Sequence, residues 1–205
     1  MRGAIAVHVS VARARSRYGP RRLRLRDGRA VTLRDVAEAD AKEILQAFER
    51  LSAQSRYSRF LQHRKEIYAG ELQRGVHPRP GIDFVLVATV PASDGIDIVG
   101  AAQYVGVSAD PKTCEFAVTI AEDWRCNGLA TALLSRLVRR ARRDGYQAIE
   151  GWVLSTNAPM LAVARQLDFV VDHTAGEAGV VCLRKGLRGA RSDRAKPTGR
   201  PVTSS

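Results

Sequence analysis

The stretch from Val118 to Thr131 carries residues whose types and spacing suit the binding of a phosphate group. An apolar run leads through a short loop into a long amphipathic pattern, so a strand is predicted to feed directly into a helix. The first N–H groups of a helix have no partner within it, and the helix dipole adds a partial positive charge there. Gly128 and Ala130 permit close approach, and Arg125 adds a cation at the rim. The stretch therefore predicts a site for a phosphate or pyrophosphate at a helix N-terminus.

Other chemistries lack their motifs in this sequence. It contains no G-x-x-x-x-G-K-[ST], no G-x-G-x-x-G with an acidic ribose ligand and no G-x-S-x-G, which excludes the common ATP, nicotinamide and serine-hydrolase motifs. The four histidines, His8, His63, His77 and His173, have no carboxylate or cysteine partners at ligand spacing, so no metal site is predicted. Three widely separated cysteines indicate neither a disulfide framework nor a zinc module and are typical of a reducing compartment.

The elements around this stretch alternate between strand-like and helical patterns. A hairpin around Asp27-Gly28 is followed by short helices, an antiparallel meander of three strands, a helix, a strand, a helix and two closing strands. The predicted ranges are 23–25 and 31–34 for the hairpin, 40–51, 52–60 and 66–72 for the first helices, 84–90, 98–107 and 114–121 for the meander, then 128–144, 149–154, 157–167, 169–172 and 180–184. We expect an α/β (α+β) single domain with a mixed, mostly antiparallel central sheet flanked by helices.

The helix predicted over 128–144 separates apolar from basic side chains. Leucines and alanines fall in one arc of about 140° on a helical wheel, which indicates the buried face. Its arginines, at 136, 139, 140, 142 and 143, occupy the opposite side. We expect this basic face to be solvated, with an acidic partner as the alternative.

Several segments together resemble one enzyme family. Arg125-x-x-Gly128-x-Ala130 resembles the R/Q-x-x-G-x-G/A element of the GNAT acyl-CoA-dependent N-acetyltransferases, and the segment from Asn157 to Phe169 resembles the second conserved helix of that family. Val31-Thr-Leu-Arg34 and Leu51-Ser-x-x-Ser-Arg-Tyr-x-Arg-Phe60 are similar to the opening of GNAT domains in bacterial protein-lysine acetyltransferases. The resemblance covers roughly residues 31–183 in the right element order, and it implies a GNAT-like fold.

The resemblance also implies functional residues. Acetyl-CoA would be the acyl donor, without a metal, and its pyrophosphate would bind the loop amides of Arg125, Cys126, Asn127, Gly128, Leu129, Ala130 and Thr131. The main chain of Val118 and Ile120 would pair with the pantetheine arm like an added strand, and one amide there would polarise the thioester carbonyl. Asn157 would hydrogen-bond the pantetheine side of the donor.

Glu115 matches the glutamate that this family often uses as a general base, directly or through water. A base is needed because a lysine-type amine, with a pKa of ~10.4, is neutral in only about one molecule in a thousand near neutral pH. An ordinary strand carboxylate facing solvent is the alternative reading of Glu115.

Three departures from the family pattern stand out. Cys126 and Asn127 replace a glycine and a basic residue of the loop, and Asp168 stands where glycine is usual. The predicted helix over 157–167 has no tyrosine to protonate the leaving thiolate.

The expected function is acetyl transfer to a primary amine, of a protein lysine or a small molecule, by direct attack in a ternary complex. A catalytically weak acyl-CoA-binding or sensory domain is the alternative.

The sequence gives less information about the acceptor amine and about the oligomeric state. The acceptor amine is expected in a cleft between the early helices and the final strands, and Arg56, Tyr57 and Arg59 are candidates to line that cleft. The sequence does not predict an oligomeric state.

The basic charge of the chain is concentrated at its two ends. The net charge is +12, yet residues 27–186 hold 20 basic and 20 acidic residues. Residues 1–20 are predicted to be a disordered basic extension and residues 187–205 a disordered basic tail, around a domain spanning residues 21–186. A transit peptide is the alternative for the first segment. Any binding of nucleic acid is therefore expected only through the tails. No apolar run is long enough to suggest a membrane span. A cytoplasmic location is expected.

Overall fold

A central sheet of eight strands organises residues 19–187, the part of the chain that the computed structural model describes. The strands are β1 (Arg21–Arg24), β2 (Ala30–Asp35), β3 (Phe84–Ala92), β4 (Gly95–Val107), β5 (Asp110–Ile120), β6 (Ala148–Leu154), β7 (Val170–Asp172) and β8 (Val180–Gly186). Their order in the sheet is β1-β2-β3-β4-β5-β6-β8-β7. Neighbours are antiparallel except β5 and β6, which are parallel. The predicted mixed, mostly antiparallel sheet is confirmed.

Five helices flank this sheet within the described residues. They are α1 (Ala41–Glu49), α2 (Ala53–Phe60), α3 (Ala69–Val76), α4 (Leu129–Arg143) and α5 (Ala158–Gln166). Ser52 caps α2, since its hydroxyl accepts a hydrogen bond from the Ser55 N–H. The third helix begins later than the predicted 66–72 and continues through Gly75 to Val76. It ends there because Pro78 disfavours the helical conformation for the residue before it.

Helix α4 packs closely on the centre of the sheet through its apolar face. Leu133, Leu134 and Leu137 are fully buried, as the periodicity predicts. Gly100 on β4 makes this contact possible, since a Cβ there would lie 3.2 Å from the Leu129 and Leu133 side chains. The start of α4 is thereby held close to the sheet.

The opposite face of α4 is not uniformly solvated, which corrects the prediction for its arginines. Arg136 is only 6% exposed, and its guanidinium donates to the Gly19 carbonyl oxygen at 3.2 Å. Arg140 forms an ion pair with Asp144 at 2.7 Å and stacks over the Phe84 ring. The long arginine side chains cover neighbouring apolar groups while their charged heads find partners.

Strands β5 and β6 diverge after a short paired region. They pair only where residues 113–115 meet residues 148–150, whereas β6 continues to pair with β8 as far as Leu154. Phe116 lies at the point of divergence, against Gly151, where a Cβ would come within 2.7 Å of the ring. Phe169 stacks on the Phe116 ring edge-to-face at 5.4 Å. The β5 edge from Phe116 to Ile120 is thus left open along a gap between the two strands.

The two predicted basic extensions lie almost wholly outside residues 19–187, so their disorder stays a prediction. Within that described range, no helix combines the length and hydropathy that crossing a membrane requires.

Candidate active site

The loop from β5 to α4, residues 121–128, presents unpaired main-chain N–H groups. Cys126 and Gly128 adopt left-handed conformations, with φ of 60° and 93°. Among the described residues, no hydrogen-bond acceptor is found for the N–H groups of Cys126, Asn127, Gly128, Ala130 and Thr131. The N–H groups of Arg125 and Leu129 are already used, by Glu122 O and Asn127 Oδ1. Five of the seven predicted loop amides therefore remain available to an anion.

Asn127 has a structural role that the sequence analysis did not assign. It is 4% exposed, and its Oδ1 accepts from the Leu129 N–H at 3.1 Å, which closes an Asx turn immediately before α4. Its Nδ2 donates to Asp27 Oδ2 at 3.2 Å, and its carbonyl oxygen accepts from the Arg26 N–H at 3.1 Å. The residue that departs from the family pattern thus ties the loop to the β1–β2 turn. The preference of asparagine for Asx turns was the available signal.

The β1–β2 turn makes two further contacts with the same loop. Arg29 donates to the Asp123 carbonyl oxygen at 2.8 Å, and its guanidinium lies 4.0 Å from the Trp124 ring centroid. The Arg26 side chain lies over Gly128, where a Cβ would be 3.1 Å from Arg26 Nε. Arg26 therefore brings a cation to the unpaired N–H groups, and the sequence analysis did not single it out.

The Arg125 side chain contacts α2, although it was expected to lie at the rim of the anion site. Its Nη2 donates to Ser55 Oγ at 2.7 Å and lies 3.6 Å from Glu122 Oε1. Glu122 also accepts hydrogen bonds from the Ser52 N–H and the Ser55 hydroxyl. Burial would raise the pKa of Glu122, but these hydrogen bonds outweigh it and lower the pKa to about 2. The ionised Glu122 thereby links α2 to the loop.

The main chain of Val118 and Ile120 faces the gap between β5 and β6. The Ala121 N–H donates to Val99 O on β4. Because alternate residues of a strand direct their main-chain groups to opposite edges, those of Val118 and Ile120 point away from β4. Strand β6 does not pair with them. Their polar groups thus have no partner strand within the described residues, and their pairing with an extended ligand stays a prediction.

Glu115 lies on β5 immediately before the open edge. The neighbouring Cys114 and Phe116 are buried in the core, so alternation places Glu115 on the other face of the sheet. In register it lies beside Val105 of β4 and Glu150 of β6. Burial and the negative charge of Glu150 raise the pKa of Glu115, while Arg59 lowers it less. A raised pKa makes this carboxylate a better proton acceptor.

A cavity of about 570 Å³ opens on the same face of the sheet, between helices α1–α3 and strands β3–β5. Its wall is mostly apolar and includes Phe48, Phe60, Ile67, Leu72, Val85 and Val105. Of the three residues expected to line the acceptor cleft, only Arg59 reaches this cavity. Arg56 instead stacks over Phe48 and donates to Glu49 O.

The third candidate, Tyr57, lines a separate and more open cavity of about 460 Å³. That cavity lies between α2 and the end of β6, with Val180 of β8 in its wall. The large cavity therefore lies against the central strands, and only the smaller one touches the final strands as predicted.

Asn157 is the last of the predicted site residues, and two tyrosines outside that set bear on the missing thiolate acid. Asn157 caps α5 because its Oδ1 accepts from the Met160 N–H at 3.2 Å, which leaves Nδ2 as its available donor. Tyr104 is fully buried and hydrogen-bonds Asp144, and the Tyr146 hydroxyl donates to Ile82 O at 2.7 Å. These two phenols are thus held away from the gap.

Comparison with known proteins gives a consistent set of relatives. The profile of the "Acetyltransferase (GNAT) family" matches residues 41–169. Acetyltransferase PA5475 of Pseudomonas aeruginosa is 32% identical over 163 residues, which is 80% of this chain and 87% of that protein. Among solved structures, the GNAT domain of S. lividans PAT superposes with a TM-score of 0.73 at 23% identity, covering 82% of this chain and 96% of that one. The Salmonella typhimurium protein yncA, solved with its cofactor acetyl-CoA, gives a TM-score of 0.63 at 20% identity, covering 81% and 99%.

Proposed function

The chain belongs to the GNAT acetyltransferase family, and we propose that it transfers an acetyl group from acetyl-CoA to a primary amine, of a protein lysine or of a small molecule. The observation that carries the proposal is the divergence of β5 from β6 directly beside the unpaired N–H groups of α4. An extended arm that ends in a pyrophosphate needs an open strand edge and an anion site next to each other. The acetyl-CoA bound to yncA supports the same donor here.

The residues around the gap fit such a donor. The free N–H groups of Cys126, Gly128 and Ala130 would hold the pyrophosphate, with Arg26 as a second source of positive charge. The open edge at Val118 and Ile120 would pair with the pantetheine arm, as an added strand does. Acetyl-CoA supplies an activated acetyl group as a thioester.

Glu115 would remove the proton that blocks amine attack. Near neutral pH a lysine-type amine is mostly protonated, and its deprotonation costs ~4 kcal/mol at 1.36 kcal/mol per pH unit. The amine nitrogen then bonds to the carbonyl carbon, and the C–S bond breaks with its electron pair on sulfur. The attacking nitrogen gives up its second proton to the departing thiolate, directly or through water, which yields the amide and the CoA thiol. The first proton stays on Glu115 or an intervening water. A main-chain N–H at the open β5 edge would donate to the carbonyl oxygen as negative charge develops there.

A catalytically weak acyl-CoA-binding domain is the second candidate. It is favoured by the buried positions of Tyr104 and Tyr146, which keep both phenols from protonating a leaving thiolate in the gap. The two candidates share the donor site and differ in turnover. A screen of amine acceptors that measures thiol release separates them, because a binding domain releases no thiol beyond background hydrolysis.

The donor site is tested by calorimetric titration of the full chain with acetyl-CoA. The Ala130→Glu variant adds a carboxylate at the start of α4, which favours the helix itself but repels a pyrophosphate. We expect Ala130→Glu to weaken acetyl-CoA binding by more than about tenfold, whereas the neutral Ala130→Gln stays within about threefold of the parent. Gly128→Val should also abolish binding by bringing a branched side chain against the site. If Ala130→Glu binds acetyl-CoA as tightly as the parent protein does, the donor does not bind at the start of α4.

A further inference from the structure

Arg59 is a partly buried arginine that lines the large cavity without a carboxylate in ion-pair contact. It lies in the last turn of α2 and lines the 570 Å³ cavity. Among the described residues, no carboxylate oxygen lies within 4.0 Å of its guanidinium and none of its N–H groups has a hydrogen-bond acceptor. Its recorded contact is with the Phe60 ring, whose centroid is 4.8 Å from its Cζ.

The carboxylates around the same cavity already have partners. Glu71 binds Arg64 at 2.6 Å, and Asp83 binds Arg79 through two hydrogen bonds of 2.6 and 3.0 Å. Neither acid is therefore free to pair with Arg59. The negative charge of Glu115 favours the charged guanidinium from beyond ion-pair distance, which leaves the donors of Arg59 available to a ligand in the cavity.

A partly buried guanidinium without an ion-pair contact gains from a bound anion. Even partial removal of a charge from water is unfavourable, and close pairing offsets that cost. Burial lowers the pKa of Arg59 to about 10, so its side chain still carries a positive charge at neutral pH. Arginine presents a planar fork of donors that matches a carboxylate.

The position of Arg59 relative to Glu115 indicates how such an anion would be connected to the reacting amine. Glu115 lies beside the cavity, since Val105 opposite it and Ala117 two residues further along β5 both line that space. Arg59 and Glu115 are close enough for each charge to shift the pKa of the other. A small molecule held in the cavity against Arg59 would therefore lie next to Glu115, and the remaining wall offers it apolar contacts.

We propose that the acetyl acceptor is a small amino-acid-like molecule, with its amine at Glu115, its carboxylate on Arg59 and an apolar substituent against the rest of the cavity. This inference rests on the proposed function and narrows its acceptor from any primary amine to one that carries a carboxylate. Within that class, the apolar wall favours amino acids with hydrocarbon or aromatic side chains over charged ones.

The test compares acceptors that differ only at the carboxylate. Thiol release from acetyl-CoA is measured with phenylalanine, phenylalaninamide and phenethylamine, with leucine and isoamylamine, and with a lysine-containing peptide. We expect kcat/KM for the free amino acids to exceed that of the matched amides and amines by roughly a hundredfold, because a site built for a polar group rejects analogues that lack it.

Variants of Arg59 test whether its guanidinium causes the preference for acceptors that carry a carboxylate. Arg59→Met should lower kcat/KM for the amino acids by about a hundredfold and leave the amines within about threefold, while Arg59→Lys restores part of the loss. The matched control is Arg139→Met, which removes an exposed arginine from α4 and should change neither value. Acetyl-CoA affinity should be unchanged in all three variants.

Two results would overturn the inference while leaving the proposed function intact. One is equal turnover of amines and amino acids by the parent protein, or turnover of the peptide alone. The other is an equal loss for both acceptor classes in Arg59→Met. If acetyl-CoA does not bind, the proposed function fails, and calorimetry of phenylalanine against phenylalaninamide still tests the carboxylate site. Tighter binding of phenylalanine, lost in Arg59→Met, supports the inference, and equal binding overturns it.

Discussion

Glu115 combines a partly buried position with the proximity of charges of both signs. Burial and Glu150 raise its pKa above the ordinary glutamate value, and Arg59 limits that rise. The carboxylate thus holds a transferred proton better than an exposed glutamate would. These are the properties expected of a base that receives a proton from an amine.

Replacement of Glu115 by Gln should lower kcat by about 10²- to 10⁴-fold, the usual contribution of a general base, and leave acetyl-CoA affinity unchanged. In the parent protein, kcat/KM should increase with pH through the raised pKa of Glu115, because the base works only when deprotonated. The measurement is a pH–rate profile of both proteins. If kcat/KM of Glu115→Gln falls at low pH with the same midpoint as that of the parent protein, Glu115 is not the group that accepts the proton.

Asp168 shows at the residue scale why the family favours glycine at the end of the second conserved helix. It adopts φ of 56°, in the left-handed region that glycine occupies freely. Aspartate tolerates that region better than most residues. The departure from the family pattern is therefore compatible with the same backbone turn.

At the scale of elements, the contact between Asn127 and the β1–β2 turn fixes the loop that would bind the donor. The side chain of Asn127 reaches both Leu129 and Asp27, which belong to elements about a hundred residues apart in the chain. Holding the loop before a ligand arrives reduces the entropy lost on binding.

Asn127→Ala should therefore lower the free energy of unfolding by about 1–2 kcal/mol, through the loss of both side-chain hydrogen bonds of this buried residue. It should also weaken acetyl-CoA binding, whereas Asp27→Asn should have a smaller effect because an amide can still accept from Asn127. Urea denaturation and calorimetry measure the two quantities. If Asn127→Ala retains full affinity, the loop does not depend on this contact for its shape.

The gap between β5 and β6 depends on the packing of Phe116 on Gly151. Gly151→Ala would force a Cβ toward a ring 2.7 Å away, and overpacking of this kind costs about 1–3 kcal/mol. We expect that loss of stability in urea denaturation. The control is Gly186→Ala on the neighbouring β8, where a Cβ meets nothing within 4 Å and should be neutral. Equal stabilities of the two variants would show that the ring moves aside without cost.

The sequence predicted the elements better than the contacts between them. Local signals identified the turn at Asp27-Gly28 and the buried leucine face of α4, because each depends on nearby residues. They placed Asp110-Pro111 outside the third meander strand, yet β5 begins at Asp110. Proline is acceptable there because the start of a strand can lack one donor.

The directions of long polar side chains were beyond the sequence because they are decided by distant partners. Arg125 was expected at the anion site, but Ser55, on a helix seventy residues earlier, holds it. Arg136 was expected in solvent, but the Gly19 carbonyl and the surrounding packing hold it inside. Among the many arginines of the chain, the sequence did not distinguish Arg26, and it indicated Arg59 only as one of three candidates for the acceptor cleft. The fold places Arg26 beside the loop and Arg59 beside the cavity.

At the scale of the whole molecule, the basic charge lies mainly outside the central domain. Residues 27–186 are balanced in charge, and the excess is carried by the two ends. Any association with nucleic acid would therefore come from the ends rather than from the face that bears the proposed active site.

Deletion of residues 1–20 and 187–205 should abolish most of the salt-dependent binding to duplex DNA and leave acetyl-CoA affinity unchanged. Each phosphate contact contributes a slope of about −0.9 to the plot of log affinity against log salt, so the loss of several arginines flattens it. Binding titrations at a series of salt concentrations provide the slope. An unchanged slope in the truncated chain would assign the binding to the central domain.

The divergence of β5 and β6 also has a consequence for isotope exchange. Because the Ala121 N–H is bonded to β4, alternation bonds Thr119 to β4 as well and leaves the amides of Val118 and Ile120 without a partner strand. In deuterated water, these two amides should exchange far faster than Thr119 and Ala121, in a pattern that alternates along one strand. An acyl donor that docks as an added strand would slow only the two fast positions. Amide exchange along β5 thus shows, residue by residue and in the unmodified protein, whether an acyl donor is bound at this edge.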